Sequence, residues 1–445
     1  MILSRPQVSE ERPTQLVRAI GRWSLAALVL NSIIGSSIFG LPSTIAGLLG
    51  RASPLAYLLT ALGVAALMGC FAEVASQFSA AGGPYLYART AFGRPVGILM
   101  GWLFWLARVT APAAATNLFV NYLGELWPGA QAPVGRLAVL TLLIGILAVV
   151  NYRGVSAGAW LSNVSTVAKI STLVAFIAVG GVWLTTHSAS APPPPVHPSW
   201  RDWGQAVLLL VFAYGGFESA LTPMGEARDP QRDAPFALFS VLVVVTLLYT
   251  LVQTVVVYAL PNAAQTERPL AAAARLFLGG PGAVLVTAGA LVSLYGYLSA
   301  MMLAGPRLPF AMAENRDLPA IFAAIHPRFR TPNVSIVLMA SLMWGLAVYG
   351  TFRWNVALST AARLFYYGLT CAALLVLRRK QPDAARFRLP AGTLMAVLGI
   401  GFSLVLVIGI GKTEVIILAA TTVIALINLL WARRRTAEPR TSPAP

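Results

Sequence analysis

The sequence has 445 residues, of which 57% are hydrophobic and 11% charged, and its formal net charge is +17. Soluble domains carry about 25% charged residues, so this composition excludes a soluble enzyme and indicates a polytopic membrane protein. Cys70 and Cys371 both lie in apolar runs. We therefore expect small buried residues there, with no disulfide, metal site or cofactor.

Twelve apolar runs follow one another along the chain, and each is close to the roughly 20 residues that a membrane-spanning helix needs. They lie near residues 24–50, 54–78, 96–123, 134–151, 159–185, 204–224, 237–260, 282–305, 334–351, 355–377, 392–411 and 413–431. Arginine and lysine are concentrated in the loops on the side of the two termini. The positive-inside rule therefore places both termini in the cytoplasm. The basic excess indicates contact with anionic lipid head groups and not with nucleic acid.

The order of these runs predicts an all-α membrane protein with twelve transmembrane helices. We expect a cytoplasmic segment at 1–23, a first five-helix repeat at 24–185 and a second at 204–377. Transmembrane helices 11 and 12 would follow at 392–431, and 432–445 would form a disordered cytoplasmic tail. If the two repeats are inverted copies of one another, the first and sixth spans correspond.

The first and sixth spans are both interrupted by small residues. Residues 35–40 read Gly-Ser-Ser-Ile-Phe-Gly, and residues 214–219 read Tyr-Gly-Gly-Phe-Glu-Ser. Each unpaired backbone N–H or C=O in hydrocarbon costs several kcal/mol, so a spanning helix opens only where it lines a cavity or packs against protein. Matched breaks in two halves of a chain are typical of a transporter's substrate site.

Each predicted break offers backbone groups to a ligand. Unwinding at Gly35, Ser36 and Ser37 exposes N–H groups at the positive end of a helix dipole, which suits a carboxylate. Freed carbonyls around Ile33 and Ile34, and from Phe212 and Ala213 to Gly215, suit an ammonium group. Donors on one side and acceptors on the other match the zwitterionic head of an amino acid. The alternative is that the small residues only allow close helix packing.

A family resemblance rests on several stretches that occur in a fixed order. Residues 31–42 read Asn-Ser-Ile-Ile-Gly-Ser-Ser-Ile-Phe-Gly-Leu-Pro, and further similar stretches lie at 82–87, 91–94 and 212–218. Together they resemble motifs of the amino acid–polyamine–organocation (APC) superfamily of permeases, and the resemblance extends over residues 20–430.

The resemblance implies a twelve-helix transporter of inverted repeats that works by alternating access. It implies that residues 35–37 hold the substrate carboxylate, and that the carbonyls of Ile33, Phe212 and Gly215 hold its ammonium group. It also makes Phe212 the aromatic gate. Ser37 stands where many members have glycine, so the identity of the substrate side chain stays open.

Two ionisable residues inside spans are candidates for gating or coupling, because buried charges in membrane helices are costly and usually functional. Lys169 lies roughly 16 Å into the fifth span at 1.5 Å per residue, and it resembles the fifth-helix lysine of proton-coupled superfamily members. Desolvation allows a buried lysine to release its proton near neutral pH. The alternative is a fixed structural charge.

Glu218 lies beside the second break and could be a gate or a proton carrier. The alternative is a partner for a buried cation. Arg108 and Arg363 lie deep in the third and tenth spans, and they could pair with Glu218 or face the aqueous pathway. Glu73, near the end of the second span, is better explained as a structural partner of a loop arginine.

We therefore expect a multi-pass protein of the bacterial cytoplasmic (inner) membrane that transports an amino acid, coupled to protons. Two alternatives are an exchanger without proton coupling and a transporter-like sensor. A membrane-embedded enzyme is disfavoured, because no predicted span contains a histidine. The expected partners are the amino acid, a proton and membrane lipid, and no catalytic residue is assigned.

Overall fold

The computed structural model describes residues 21–78, 82–154, 158–187, 197–221 and 229–437, and within these ranges it contains helices and no strand. The predicted N-terminal segment up to residue 20 and the predicted tail from residue 438 lie outside the described residues. The helices are α1 (Arg22–Ile33), α2 (Ser37–Leu49), α3 (Ser53–Ala75), α4 (Pro84–Phe92), α5 (Arg94–Leu126), α6 (Pro133–Tyr152), α7 (Gly158–Thr186), α8 (Trp200–Tyr214), α9 (Phe217–Ala220), α10 (Pro230–Ala259), α11 (Pro269–Ala304), α12 (Arg307–Glu314), α13 (Asn333–Tyr349), α14 (Phe352–Lys380), α15 (Gly392–Val407) and α16 (Lys412–Ala437).

Eight helical stretches within the described residues are long and apolar enough to cross a membrane. They are Ser37–Ala75, Arg94–Leu126, Pro133–Tyr152, Ser165–Thr186, Arg232–Ala259, Pro269–Glu314, Phe352–Lys380 and Lys412–Arg434. Two shorter apolar helices, Asn333–Tyr349 and Gly392–Val407, accompany them. Large apolar side chains such as Leu62 and Val405 are exposed on the outside of the bundle, as expected of a surface solvated by lipid. The chain is an all-helical membrane protein.

Helix ends follow local sequence signals. The residue at the start of α8 forms a capping box, in which Ser199 accepts from the Asp202 amide and the Asp202 side chain accepts from the Ser199 amide. Thr351 caps α14 by accepting from the Trp354 amide. The last helix, α16, continues to Ala437, past the end at residue 431 that the sequence predicted. Arginine favours helix, so Arg433 to Arg435 extend this helix beyond its apolar part.

The helix α5 lies at the centre of the bundle and packs against α14 and α11, while α10 packs against α3 and α1. The pair α7 and α11 approach closely through small residues. A Cβ atom on Gly289 or Gly296 would overlap Thr172 or Ser165 of α7. Membrane helices associate largely through such van der Waals packing, because lipid offers no hydrophobic drive between them.

A kink in α11 was not predicted. Gly279 has φ +68°, a left-handed value that divides α11 into two helical segments. The second segment corresponds to the predicted span at 282–305. The first segment, from Pro269, lies between the predicted spans at 237–260 and 282–305, where no helix was predicted.

Two buried acidic residues connect distant parts of the chain. Glu73 of α3 receives two hydrogen bonds from the Arg378 guanidinium, at 2.7 and 2.6 Å. Its partner is an arginine, as predicted, but Arg378 lies in the last turn of α14 and not in a loop. Asp317, which is fully buried, pairs with Arg89 at 3.0 Å and with Arg94 at 2.7 Å. It also accepts a hydrogen bond from Tyr85, and burial together with this carboxylate raises the pKa of the Tyr85 phenol above its ordinary value.

Candidate functional site

The first break separates α1 from α2 at residues 34–36, close to the predicted position. Ile34 has φ −74° and ψ 87°, which resembles an inverse γ-turn, and the Gly35 amide donates back to the Ile33 carbonyl at 2.8 Å. The amides of Ser36 and Ser37 have no acceptor among the described residues. The buried Ser36 hydroxyl also has no partner there. The start of α2 therefore presents unused donors.

The second break separates α8 from α9 at Gly215 and Gly216. It is shorter than expected, because Ala213 and Tyr214 still belong to α8. Gly216 has φ +110°, and a Cβ atom there would overlap the carbonyl oxygen of Ser32 in α1. Glycine is required at this position for both reasons, and the two breaks lie directly against one another.

A small cavity lies between the two breaks. Its volume is about 20 Å³, which is room for about one water molecule, so a larger ligand requires movement of the lining side chains. The lining includes every substrate-binding residue predicted from the sequence except Ala213. These lining residues are Ser32, Ile33, Gly35, Ser36, Ser37, Ala107, Arg108, Ala111, Phe212, Gly215, Gly216, Glu218, Ser219, Tyr297, Met301, Arg363 and Tyr366.

The expected free carbonyls are partly occupied. The Ile33 carbonyl accepts from the Gly35 amide and from the Tyr249 hydroxyl at 3.3 Å, so both of its lone pairs have donors. The Phe212 carbonyl accepts from the Gly215 amide at 3.2 Å. The Gly215 carbonyl receives no hydrogen bond from the described residues. The backbone turns back on itself at each break, so some of the carbonyls that were expected to be free accept hydrogen bonds from nearby backbone amides.

Lys169 of α7 is fully buried and reaches the first break. Its Nζ atom donates to the Ile34 carbonyl at 2.7 Å and to Oδ1 of Asn31 at 2.7 Å. The Ile34 carbonyl is one of those that the first break was predicted to free for an ammonium group. The contact between Lys169 and Asn31 was not predicted. The lysine therefore holds α7 to the opened end of α1.

Glu218 is held by four donors. Arg363 and Tyr366 donate to Oε1 at 2.7 and 2.8 Å, and Tyr367 and the Gly216 amide donate to Oε2 at 3.1 and 2.9 Å. Arg363 and Glu218 are both almost completely buried. Of the two interpretations open from the sequence, this geometry favours a partner for a buried cation over a proton carrier.

Arg108 of α5 is 8% exposed and also lines the cavity. One of its terminal nitrogens donates to the Ser219 hydroxyl at 3.0 Å, and the guanidinium lies 4.5 Å from the centre of the Phe104 ring. Its Nε atom has no partner in the described part of the chain. Of the two positions predicted for this arginine, pairing with Glu218 or facing the aqueous pathway, its place in the cavity lining favours the second.

Two tyrosines at the site were not predicted. Tyr249 of α10 lies 3.4 Å from the Ser37 hydroxyl in addition to its bond with Ile33. The Tyr297 ring of α11 lies 3.2 Å from the position of a Cβ atom on Gly35. A tyrosine inside an apolar run is a usable signal, because a buried hydroxyl usually finds a partner. The sequence could not identify that partner, because Tyr249 and its acceptor Ile33 are 216 residues apart in the chain.

Comparisons with known proteins show which proteins the chain is similar to. A sequence model of the family described as "Amino acid permease" matches residues 20–431. An uncharacterized transporter of Mycobacterium tuberculosis is 32% identical over 388 residues, which cover 84% of each chain. The methylthioribose transporter of Bacillus subtilis is 28% identical over 418 residues, 89% of each chain. The serine/threonine exchanger of the same species is 28% identical over 403 residues, which cover 87% of this chain and 90% of the relative.

Proposed function

The chain belongs to the amino acid permease family, and we propose that it carries an amino acid across the bacterial cytoplasmic membrane by alternating access. The observation that carries this proposal is the pair of facing breaks, which bring unused backbone donors and an unused carbonyl to one cavity. Relatives with named activities are transporters and not enzymes, which agrees with the membrane character of the chain.

The proposed architecture has twelve transmembrane helices. In it, α1 with α2 forms the first helix and α8 with α9 forms the sixth, and the segments 24–185 and 204–377 are inverted five-helix repeats. The helices α15 and α16 are the two that follow. The matched positions of the breaks support this arrangement, and the concentration of arginine on the side of the termini supports cytoplasmic termini.

In the proposed complex, the substrate carboxylate lies at the start of α2. The amides of Ser36 and Ser37 and the Ser36 hydroxyl are available to it, and the helix dipole favours an anion there. Gly35 leaves space for the ligand because it has no side chain. The ammonium group lies against the carbonyls of Phe212 and Gly215.

Ile33, Ala213 and Phe212 take supporting roles in this complex. Tyr249 and the Gly35 amide already occupy the Ile33 carbonyl, so ammonium binding there requires release of the Tyr249 bond. Ala213 supports the last turn of α8. The ring of Phe212 lines the cavity and closes it as a gate.

We propose that Lys169 couples transport to protons. Its ammonium form donates to the Ile34 carbonyl and to Asn31, so loss of the proton removes a tie between α7 and the first break. Proton loss would then bias the protein toward its other access state, and net accumulation requires such a bias. Glu218 acts in this scheme as a structural tie through Arg363.

Uptake by the purified protein in liposomes tests this proposal. A panel of labelled amino acids would be supplied with and without an inward proton gradient, and with unlabelled amino acid inside. We expect saturable uptake of at least one amino acid, increased by the gradient. Uptake that requires internal amino acid and ignores the gradient would identify an exchanger. Absence of uptake of every amino acid would overturn the proposal.

A further inference from the structure

The cavity between the breaks contains more positive than negative charge. Its charged lining residues are the guanidinium groups of Arg108 and Arg363 and the carboxylate of Glu218. Among the residues that the structure describes, no carboxylate oxygen lies within 4.0 Å of the Arg108 nitrogens. Arg108 is thus a buried cation without an ion-pair partner.

Glu218 cannot serve as that partner while it keeps its present bonds. An ionised carboxylate offers about four lone-pair sites, and Arg363, Tyr366, Tyr367 and the Gly216 amide supply one donor to each of them. Glu218 therefore forms its direct ion pair with Arg363, and Arg108 has no direct ion-pair contact among the described residues.

A buried charge without a partner is strongly unfavourable in a protein interior. Arg108 contacts the Ser219 hydroxyl, which is a neutral acceptor, and the face of the Phe104 ring, and neither carries a negative charge. Its Nε atom has no acceptor among the described residues. The buried hydroxyl of Ser36, which also lines the cavity, lacks a partner as well. Unused donors therefore reach the cavity from two directions, α5 and the start of α2.

We propose that the substrate is an amino acid with an acidic side chain. This inference rests on the proposed function. The amides at the start of α2 bind the α-carboxylate, and Arg108 binds the second carboxylate of the side chain. Guanidinium forms charge-assisted and often bidentate hydrogen bonds with carboxylates, and the substrate would supply the contacting anion that the described residues do not place at Arg108.

Binding of matched acids and amides to the purified protein tests this inference. L-glutamate and L-glutamine, and L-aspartate and L-asparagine, have nearly the same size and differ in charge. We expect the acids to bind about 100-fold more tightly than the amides by calorimetry, because truncating one partner of a buried charge pair typically has an effect of this order. This comparison uses the unmodified protein, so it does not depend on the folding of any variant.

Variants of Arg108 test whether this residue causes the preference for acidic amino acids. Arg108→Gln should lower the affinity for glutamate by about 100-fold and leave that for glutamine nearly unchanged, while Arg108→Lys should keep part of the preference. Arg353→Gln is the matched control, since Arg353 is an exposed arginine outside the cavity lining.

Two outcomes separate this inference from the proposed function. Glutamine or a neutral amino acid that binds as tightly as glutamate would overturn the inference and leave amino acid transport intact. A preference for acids that persists in Arg108→Gln would also overturn the assignment to Arg108. If no amino acid of any charge binds, the proposed function fails and the inference fails with it.

Discussion

At the scale of single residues, the depth of a charged residue within a span predicted that it has a specific role. The sequence did not predict which residue would be its partner. The depth of Lys169 in an apolar run indicated a specific role, and its acceptor at Ile34 follows from where the first helix opens. Asn31 and Tyr249 could not be assigned in the same way, because polar side chains in a helix have many geometrically possible partners. The partner is decided by the tertiary structure, which brings Lys169 of α7 to Asn31 and Tyr249 of α10 to Ile33.

The first prediction concerns Lys169. Lys169→Ala removes the donor to Ile34 and Asn31, and Lys169→Arg keeps a charge that is not lost at any working pH. Both variants should lose accumulation driven by an inward proton gradient, and Lys169→Ala should keep substrate binding. Uptake in proteoliposomes after an imposed pH step measures this. Accumulation by Lys169→Ala at the level of the unmodified protein would make the lysine a structural charge.

The second prediction concerns the buried pair of Glu218 and Arg363. Glu218→Gln leaves Arg363 without a counter-charge and should destabilise the protein by about 3 kcal/mol. Replacing both partners, as Glu218→Gln with Arg363→Met, should recover part of this loss, because Arg363 then no longer leaves a buried charge without its partner. Thermal unfolding in detergent, followed by tryptophan fluorescence, compares the two. A double variant less stable than Glu218→Gln would show that Arg363 is compensated by another group.

At the scale of helices, the sequence predicted which spans break but not how far each break extends. The glycine and serine residues at 35–37 indicated the first opening, which the structure has at 34–36. The carbonyls predicted to be freed at Phe212 and from Ala213 to Gly215 implied a longer second opening than the structure has, since it is confined to Gly215 and Gly216. The helix α8 keeps its last turn because Ala213 and Tyr214 are buried in the bundle, and tertiary packing overrides local preference there.

The third prediction concerns the contact between the two breaks. Gly216→Ala puts a Cβ atom against the Ser32 carbonyl at a backbone with φ +110°. Strain of this kind costs about 1–3 kcal/mol, so we expect a lower Tm and loss of substrate binding. Gly204→Ala is the control, because Gly204 lies in α8, the helix before the break, with nothing within 4 Å of the added Cβ atom. Equal effects of the two substitutions would argue against a specific contact between the breaks.

At the scale of the whole molecule, composition and span order predicted the helical membrane fold, and the resemblance of several motifs predicted the family. The family match over residues 20–431 confirms the resemblance drawn from the motifs. The kink at Gly279 and the pairing of Asp317 with Arg89 and Arg94 could not be predicted. Each depends on how segments that are distant in sequence meet, and a single sequence does not specify this.

The fourth prediction concerns orientation. Asp383 and Ala132 are both exposed in loops, and the distribution of arginine assigns them to the cytoplasmic and the external side, respectively. Cys70 and Cys371 are buried, so they should contribute little to labelling by a membrane-impermeant maleimide. On intact cells, the reagent should label Ala132→Cys and not Asp383→Cys. The reverse pattern would invert the proposed topology.

The central claim is that the first break forms an amino acid site, and calorimetry with the variant Gly35→Leu tests it most directly. The leucine side chain would fill the space in front of the amides of Ser36 and Ser37 and meet Tyr297, whose ring lies 3.2 Å from the added Cβ position. Gly145→Leu is the control, because nothing lies within 4 Å of its added Cβ atom. We expect the unmodified protein and Gly145→Leu to bind the transported amino acid, and Gly35→Leu to remain folded without binding it. Unchanged affinity in folded Gly35→Leu would show that the substrate lies elsewhere.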